Sequence, residues 1–358
     1  MLKLFIQRFR GVIILGIVLC IQYLISRYSS SCFIESYYLK YVYSFVGNIS
    51  NSLSSLVSIS LWELFWVFFI LFIIVLIVLS FIKKSFWKRS LKYFVFVLLI
   101  GANWFYISWG YSYGRRSMIE VMDINTEGLT KSDVEDAFHL ILKDISDMSM
   151  DALNWTTPVD QALIAEYRDQ MDREEIPLYV NPHKIKKITF SKFYIQAGVL
   201  GFFGPFFNEV HVNRYLYEKD YPYVAFHELS HQQGVGSERD CNFIAFILAY
   251  HSQDKSLRYS AYLNILPYFI DYFYQYPQEE FNEMVRTIPS YLISDLRSRS
   301  YWYRDQRDEF IDRVQSKAND IYLKSNGVED GVMNYGKYFG MVVFWINQDS
   351  NKIAKNKS

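Results

Sequence analysis

Phe226-His227-Glu228-Leu229-Ser230-His231, followed after Gly234 and Gly236 by Ser237-Glu238-Arg239-Asp240-Cys241-Asn242, is the stretch from which the remaining sequence is read. It contains His-Glu-x-x-His, a glycine break, and a second polar start that leads into Phe243-Ile244-Ala245-Phe246-Ile247-Leu248. On a helix His227 and His231 lie four apart, so both imidazoles project from one face. Zinc takes two nitrogen ligands in that arrangement. Glu228, beside the first histidine, is placed to act as general base on a water. A catalytic zinc needs a third protein ligand and one open position. Glu238 is the candidate for that ligand, with Asp240 as the alternative, and Cys241 reads as a small packed residue rather than a thiolate ligand.

The flanks strengthen the motif. Pro222 suits the first turn of a helix, Gly234 and Gly236 permit a sharp turn, and Ser237 with Asp240 has the spacing of a capping box. A second helix is therefore expected to start there, with Glu238 in its first turn. Asn242 follows one turn later on the same face, where it can hydrogen-bond a ligand histidine and fix its tautomer. A bare His-Glu-x-x-His arises by chance in long chains; the glycine turn, the Glu-x-x-x-Asn and the apolar helix lift this one above chance.

These residues resemble the gluzincin-type zinc peptidases, in which His-Glu-x-x-His is followed on another helix by Glu-x-x-Ala-Asp. Here Cys241 stands for the alanine and Asn242 for the aspartate. The run from Gly201 to Asn213, the stretch His227 to Gly234, and Glu238 to Phe243 also resemble a family of uncharacterised bacterial membrane proteins. That family is described only as a domain of unknown function and is grouped with those peptidases. Asn326 to Val332, with Tyr335-Gly336, is similar as well. The resemblance implies a zincin-like fold, bound Zn²⁺ and a peptide or protein substrate whose identity it does not supply.

Lys and Arg together number 37, as do Asp and Glu, so no global charge favours nucleic acid. Cys20, Cys32 and Cys241 make no disulfide framework. Three apolar segments occupy the first third. The first, about 12–25, follows Lys3, Arg8 and Arg10 and reads as an uncleaved signal anchor, since no small-x-small cleavage site follows. The second, about 61–82, opens with Trp62 and Trp66 and is long enough to cross about 30 Å of hydrocarbon. The third, about 93–111, carries Gly101 and Asn103 as candidate contacts between helices.

Basic residues set the expected orientation. Lys83, Lys84, Lys88, Arg89 and Lys92 lie between the second and third segments, whereas the connection 26–60 has only Arg27 and Lys40. The N-terminus and the basic hairpin are therefore expected in the cytoplasm and everything after Tyr111 outside. Arg115 and Arg116 argue the other way but are outweighed by the cluster of five.

The expectation is an α+β chain, mainly helical. Residues 1–112 form a multi-pass cell-membrane region, and 113–358 form an extracytoplasmic zincin-like metallopeptidase domain with a small sheet. Thr130 to Met148 has helical spacing behind a Thr130–Asp133 cap, with Val134, Phe138, Leu140, Ile141 and Ile145 as one stripe. Thr189 to Ser191 and Asn208 to Asn213 read as strands, the latter half-buried by its alternation. By analogy with gluzincins it edges the cleft. His211 is a candidate substrate contact or a hydrogen-bonded surface histidine. The phenylalanines from Phe202 to Phe207 read as core anchors at a turn, or as an apolar substrate wall or membrane-facing loop. Tyr335 is a candidate oxyanion donor or a structural tyrosine. The functional expectation is zinc-dependent hydrolysis of a peptide bond with Glu228 as base, by a protein whose partners are that substrate and the bilayer, with no nucleic acid. A membrane sensor or binding module that keeps the metal site without cutting is the alternative.

Overall fold

The computed structural model describes residues 2–148, 158–325 and 335–357. The chain is mainly helical. Helices α1 (Leu2–Tyr28), α4 (Leu61–Ile82) and α5 (Trp87–Ser108) are the apolar ones, and the stretches Phe9–Tyr28, Leu61–Ile82 and Lys84–Ser108 are long and apolar enough to cross a membrane. At about 1.5 Å per residue each reaches about 30 Å or more. Helices α1 and α4 both pack on α5. Asn103 joins α5 to α1: its Nδ2 donates to Leu15 O at 3.2 Å and Leu99 O at 2.7 Å, and Gln22 Nε2 donates to Asn103 O at 3.4 Å. Gly101 makes no such contact, since a Cβ there would meet nothing within 4 Å. The second span falls where expected. The third starts earlier and stops at Ser108, because Gly110–Gly114 turns as a 3-10 helix.

The connection between the first two spans is a folded element. Helix α2 (Ser31–Phe33), a π-helical stretch Ile34–Tyr43 and α3 (Ser44–Ser55) follow one another. Ile34, Tyr38, Leu39 and Tyr43 are buried against Trp109 and Val180, which ties this segment to the large body of the protein.

That body contains α6 (Met118–Val121), α7 (Lys131–Asp147), α8 (Asp160–Arg173), β1 (Ile185–Lys187), α9 (Ser191–Gln196), β2 (Gly201–Gly204), β3 (Glu209–Val212), α10 (Tyr221–Gln232), α11 (Glu238–Tyr250), α12 (Lys255–Phe273), α13 (Gln278–Arg286), α14 (Ser290–Gln306), α15 (Glu309–Ser325) and α16 (Tyr335–Lys357). Thr130 and Asp133 form the anticipated capping box for α7, whose Val134, Phe138, Ile141 and Ile145 are buried. His139 faces out. Helix α11 is the centre of the core: Phe243 to Ala249 are all buried, with α10, α12 and α16 packed around them. A helix apolar on every side belongs inside.

The sheet has the order β1-β3-β2, with β1 parallel and β2 antiparallel to β3. Two expectations are corrected here. Thr189 to Ser191 is no strand; it turns into α9 because the Glu63 carboxylate accepts Thr189 N at 2.7 Å and Phe190 N at 3.0 Å. The Asn208–Asn213 strand is real, but β3 is the central strand and buried at all four residues, so it does not edge the cleft. Its polar side chains are buried all the same: Glu209 pairs with Lys186, and the His211 ring stacks on Phe202 at 4.3 Å between centroids. The edge belongs to β2. Phe206 and Phe207, in the turn after β2, pack on Trp62 and Phe65 at the start of α4. The Asn326–Val332 run lies outside the described residues.

Candidate metal centre

Helix α10 starts with Pro222 in its first turn and ends at Gln232. Gly234 then takes φ +76°, in the left-handed region, and a Cβ there would also sit 2.7 Å from Leu39 Cδ2. Both facts demand glycine. Gln232 and Gln233, which close the helix, are anchors. Gln232 O accepts Tyr43 OH at 2.9 Å, and Gln233 Oε1 accepts Tyr179 N and Val180 N. Helix α11 begins as anticipated, with Ser237 Oγ accepting Asp240 N at 3.3 Å.

The turn folds the start of α11 back over the histidine face of α10. His227, His231 and Glu238 each offer one ligand atom, and these atoms lie within 4.8 Å of one another. The orientation of the rings says more than their proximity. His227 Nδ1 is 2.8 Å from Asn242 Oδ1, and His231 Nδ1 is 2.8 Å from Val235 O. Both partners are acceptors, so the proton sits on Nδ1 and the lone pair on Nε2. The two Nε2 atoms face Glu238 Oε2 at 3.1 and 3.6 Å. Three lone pairs thus converge on one point, which only a cation or the added protons of imidazolium rings satisfy. The donor set therefore fits a borderline-soft divalent metal. Burial would raise the Glu238 carboxyl, but with the rings as imidazolium the charge of His231 and hydrogen bonds from both histidines hold it well below the ordinary range.

Glu228 points into the same cleft but ligates nothing. It is buried, its Oε2 has no hydrogen-bond partner among the described residues, and burial pushes its carboxyl up to about 7 against the opposing pull of His227 and His231. Gly201 makes room for it: a Cβ there would stand 2.7 Å from Glu228 Oε1. An orphaned buried carboxyl beside a ligand set is an unsatisfied group in search of a water or a substrate.

The structure thus assembles His227, Glu228, His231, Glu238 and Asn242. It leaves Asp240 out, because Asp240 accepts Met118 N at 3.1 Å and Arg239 Nε at 2.9 Å and so anchors α6. It also seals off His211, which is fully buried rather than at the surface or open to the cleft. Tyr335 opens α16, and its side chain lies outside the described residues. Cys241 is a buried packing residue, its Sγ 3.2 Å from His231 Nδ1, with burial pushing the thiol up to about 11.

Two tyrosines escaped the sequence reading. Tyr223 OH donates to Asn242 O at 3.0 Å and lies 3.0 Å from Tyr338 OH, bracing the asparagine that orients His227. Tyr223 stands four residues before His227, a spacing that signals it; Tyr338 lies far along the chain and gives no local sign. These groups line a cleft of about 700 Å³, with Trp109 and β2 on one side and Arg299, Arg307 and Asn319 on another.

The family described as a protein of unknown function, DUF3810, matches residues 38–343. The chain belongs to the DUF3810 family. The match takes in α4, α5, the sheet and the His227–Glu238 centre, while α1 lies before it. No curated protein and no solved structure matches the chain.

Proposed function

We propose that this protein is a membrane-anchored, zinc-dependent metallopeptidase with a gluzincin-like arrangement of α10, α11 and the β2 edge. The carrying observation is the convergence of His227 Nε2, His231 Nε2 and Glu238 Oε2 beside the orphaned carboxyl of Glu228. Zinc, when bound, supplies a Lewis acid and draws the pKa of water toward about 7. His227, His231 and Glu238 hold it, and Asn242 Oδ1 fixes the His227 tautomer. Glu228 Oε2 takes a proton from the attacking water, which adds to the peptide carbonyl, and returns that proton to the leaving amine nitrogen. Strand β2 leaves one edge unpaired among the described residues, and that edge lines the cleft, where an extended peptide can hydrogen-bond to it. The orphaned carboxyl favours hydrolysis over a metal site that only senses or binds.

The proposed topology places residues 113–358 outside the cytoplasm. Arg115 and Arg116, the two basic residues that oppose it, serve the fold: Arg115 Nη1 donates to Gln233 O at 3.0 Å, and Arg116 pairs with Glu35 at 2.7 Å.

The test uses the full chain in detergent, because Tyr38, Leu39 and Tyr43 help build the body that carries the site. Metal content by mass spectrometry is expected near one zinc per chain and lost in His227→Ala. Glu228→Gln is expected to keep the zinc and lose peptide hydrolysis. A folded chain without zinc, or hydrolysis that survives Glu228→Gln, overturns the assignment.

A further inference from the structure

The end of α5 borders the cleft, and the start of α4 meets the far end of β2. Trp109, the first residue after α5, packs tilted against Phe203 at 4.9 Å and edge-on to the His231 ring at 6.3 Å, measured between centroids. The start of α4 is held just as closely. Leu61 N and Trp62 N donate to the Glu209 carboxylate at 3.2 and 3.0 Å, and a Cβ on Gly204 would approach Trp62 Cβ to 3.0 Å.

Strand β2 therefore bridges the catalytic carboxyl and the membrane helix. Gly201 abuts Glu228 at one end and Gly204 abuts Trp62 at the other. At about 3.3 Å per residue, that path covers about 10 Å. Trp62, Phe65, Trp66, Phe206 and Trp104 cluster at the Gly204 end, with Trp104 Nε1 donating to Phe206 O at 3.1 Å. Tryptophan and other aromatics gather at the level of lipid headgroups. Beside them Phe190, tied by its backbone to Glu63 of α4, and Phe193 are 51% and 57% exposed. An extended peptide laid along the free edge of β2 runs from Glu228 straight into this aromatic layer.

We infer that the substrate is a membrane-attached peptide, cut about three to five residues from the bilayer surface, the number of extended residues that spans the 10 Å path and the headgroup margin. A soluble peptide loses the anchorage that places it on β2. This rests on the peptidase reading above.

The experiment reconstitutes the full chain with zinc in phosphatidylcholine vesicles containing phosphatidylglycerol. The probe is a mixed-sequence peptide library, about 20 residues long and thus about 65 Å when extended. It is coupled to a diacyl lipid through its N-terminus, through its C-terminus, or left free, with Glu228→Gln as blank. Mass spectrometry maps each cut from the anchor. The expected result is at least about tenfold faster cleavage of one anchored library than of the free one at equal bulk concentration, with cuts within about six residues of the anchor, or about 20 Å of extended chain. Free peptides cut as fast as anchored ones, or anchored cuts starting only beyond about ten residues, about 33 Å along the chain, overturn the inference and leave the peptidase standing. No cleavage of any library by the zinc-loaded chain overturns the peptidase reading, and the inference with it.

Discussion

Two histidine–glutamate pairs lie on either side of β2, and they have opposite fates. His231 Nε2 stands 3.6 Å from Glu238 Oε2, and His211 Nε2 stands 3.4 Å from Glu209 Oε2. The Glu238 side chain is 46% exposed on the cleft, whereas Glu209 and His211 are at 0%. Glu209 has its charge met from within, by Lys186 Nζ and by two backbone N–H groups of α4. Burial would raise that carboxyl, but the adjacent His211 ring and the hydrogen bond from Lys186 hold it below the ordinary range. At the cleft no lysine or backbone N–H among the described residues plays this part; lone pairs meet lone pairs, and Glu228 Oε2 stays unpaired. Residue type alone does not separate a joint from a site. What separates them is whether the protein itself satisfies the charge.

Substitutions on either side can break this contrast. Glu228→Gln should lower the turnover number about 10²–10⁴-fold, the usual share of a positioned general base, while zinc content stays unchanged by mass spectrometry. Unaltered turnover would make Glu228 another joint. Glu209→Ala should cost about 3–5 kcal/mol of stability, because Lys186 is left buried and unpaired, with zinc per folded chain preserved. Denaturant unfolding of the full chain in detergent reads this, and a loss below about 1 kcal/mol, the level of an exposed ion pair, would mean that the buried pair is not the joint described. Asn242→Ala should weaken zinc affinity about 10–100-fold by freeing the His227 ring, seen in competition with a chelator.

The smallest effect concerns a third pair. His251 sits between Glu174 on Nδ1 and Asp349, 3.2 Å from Nε2. Burial would lower its pKa, yet hydrogen bonds to Asp349 and Glu174 raise it to about 9. A folded pKa above the unfolded value of about 6.5 gives stabilisation that is full below pH about 6.5 and lost as pH rises through about 9. The melting temperature should fall slightly across that window, and His251→Gln should flatten the slope. An unchanged slope would remove His251 from the group of structural pairs.

Much of the centre was legible because its parts are local. The His227–His231 spacing, the Gly234 turn and the Ser237 cap act within one turn of helix or one tight loop, and helix geometry carries them from sequence to space. The spans Leu61–Ile82 and Lys131–Asp147 were legible for the same reason, through apolar length in one and a capped 3.6-residue period in the other. β3 misled because the Glu209 carboxylate is satisfied by Lys186 and by the backbone of α4, partners more than twenty residues away, and the His211 ring is covered by Phe202. Periodicity reports whether a side chain is polar and cannot report who meets it.

The sequence by itself determined the apolar helices, the shared face of His227 and His231 on α10 and the cap that starts α11, since each depends on dihedral preference, hydrophobic period and neighbours within a few residues. Only the tertiary structure decided that Glu238 rather than Asp240 meets the two histidines, that β2 rather than β3 borders the cleft, and that Trp109 brings the end of α5 to that cleft while Trp62 meets the far end of β2. Those outcomes depend on contacts between segments distant along the chain, where burial and competition for hydrogen-bond partners, and not local propensity, choose the arrangement.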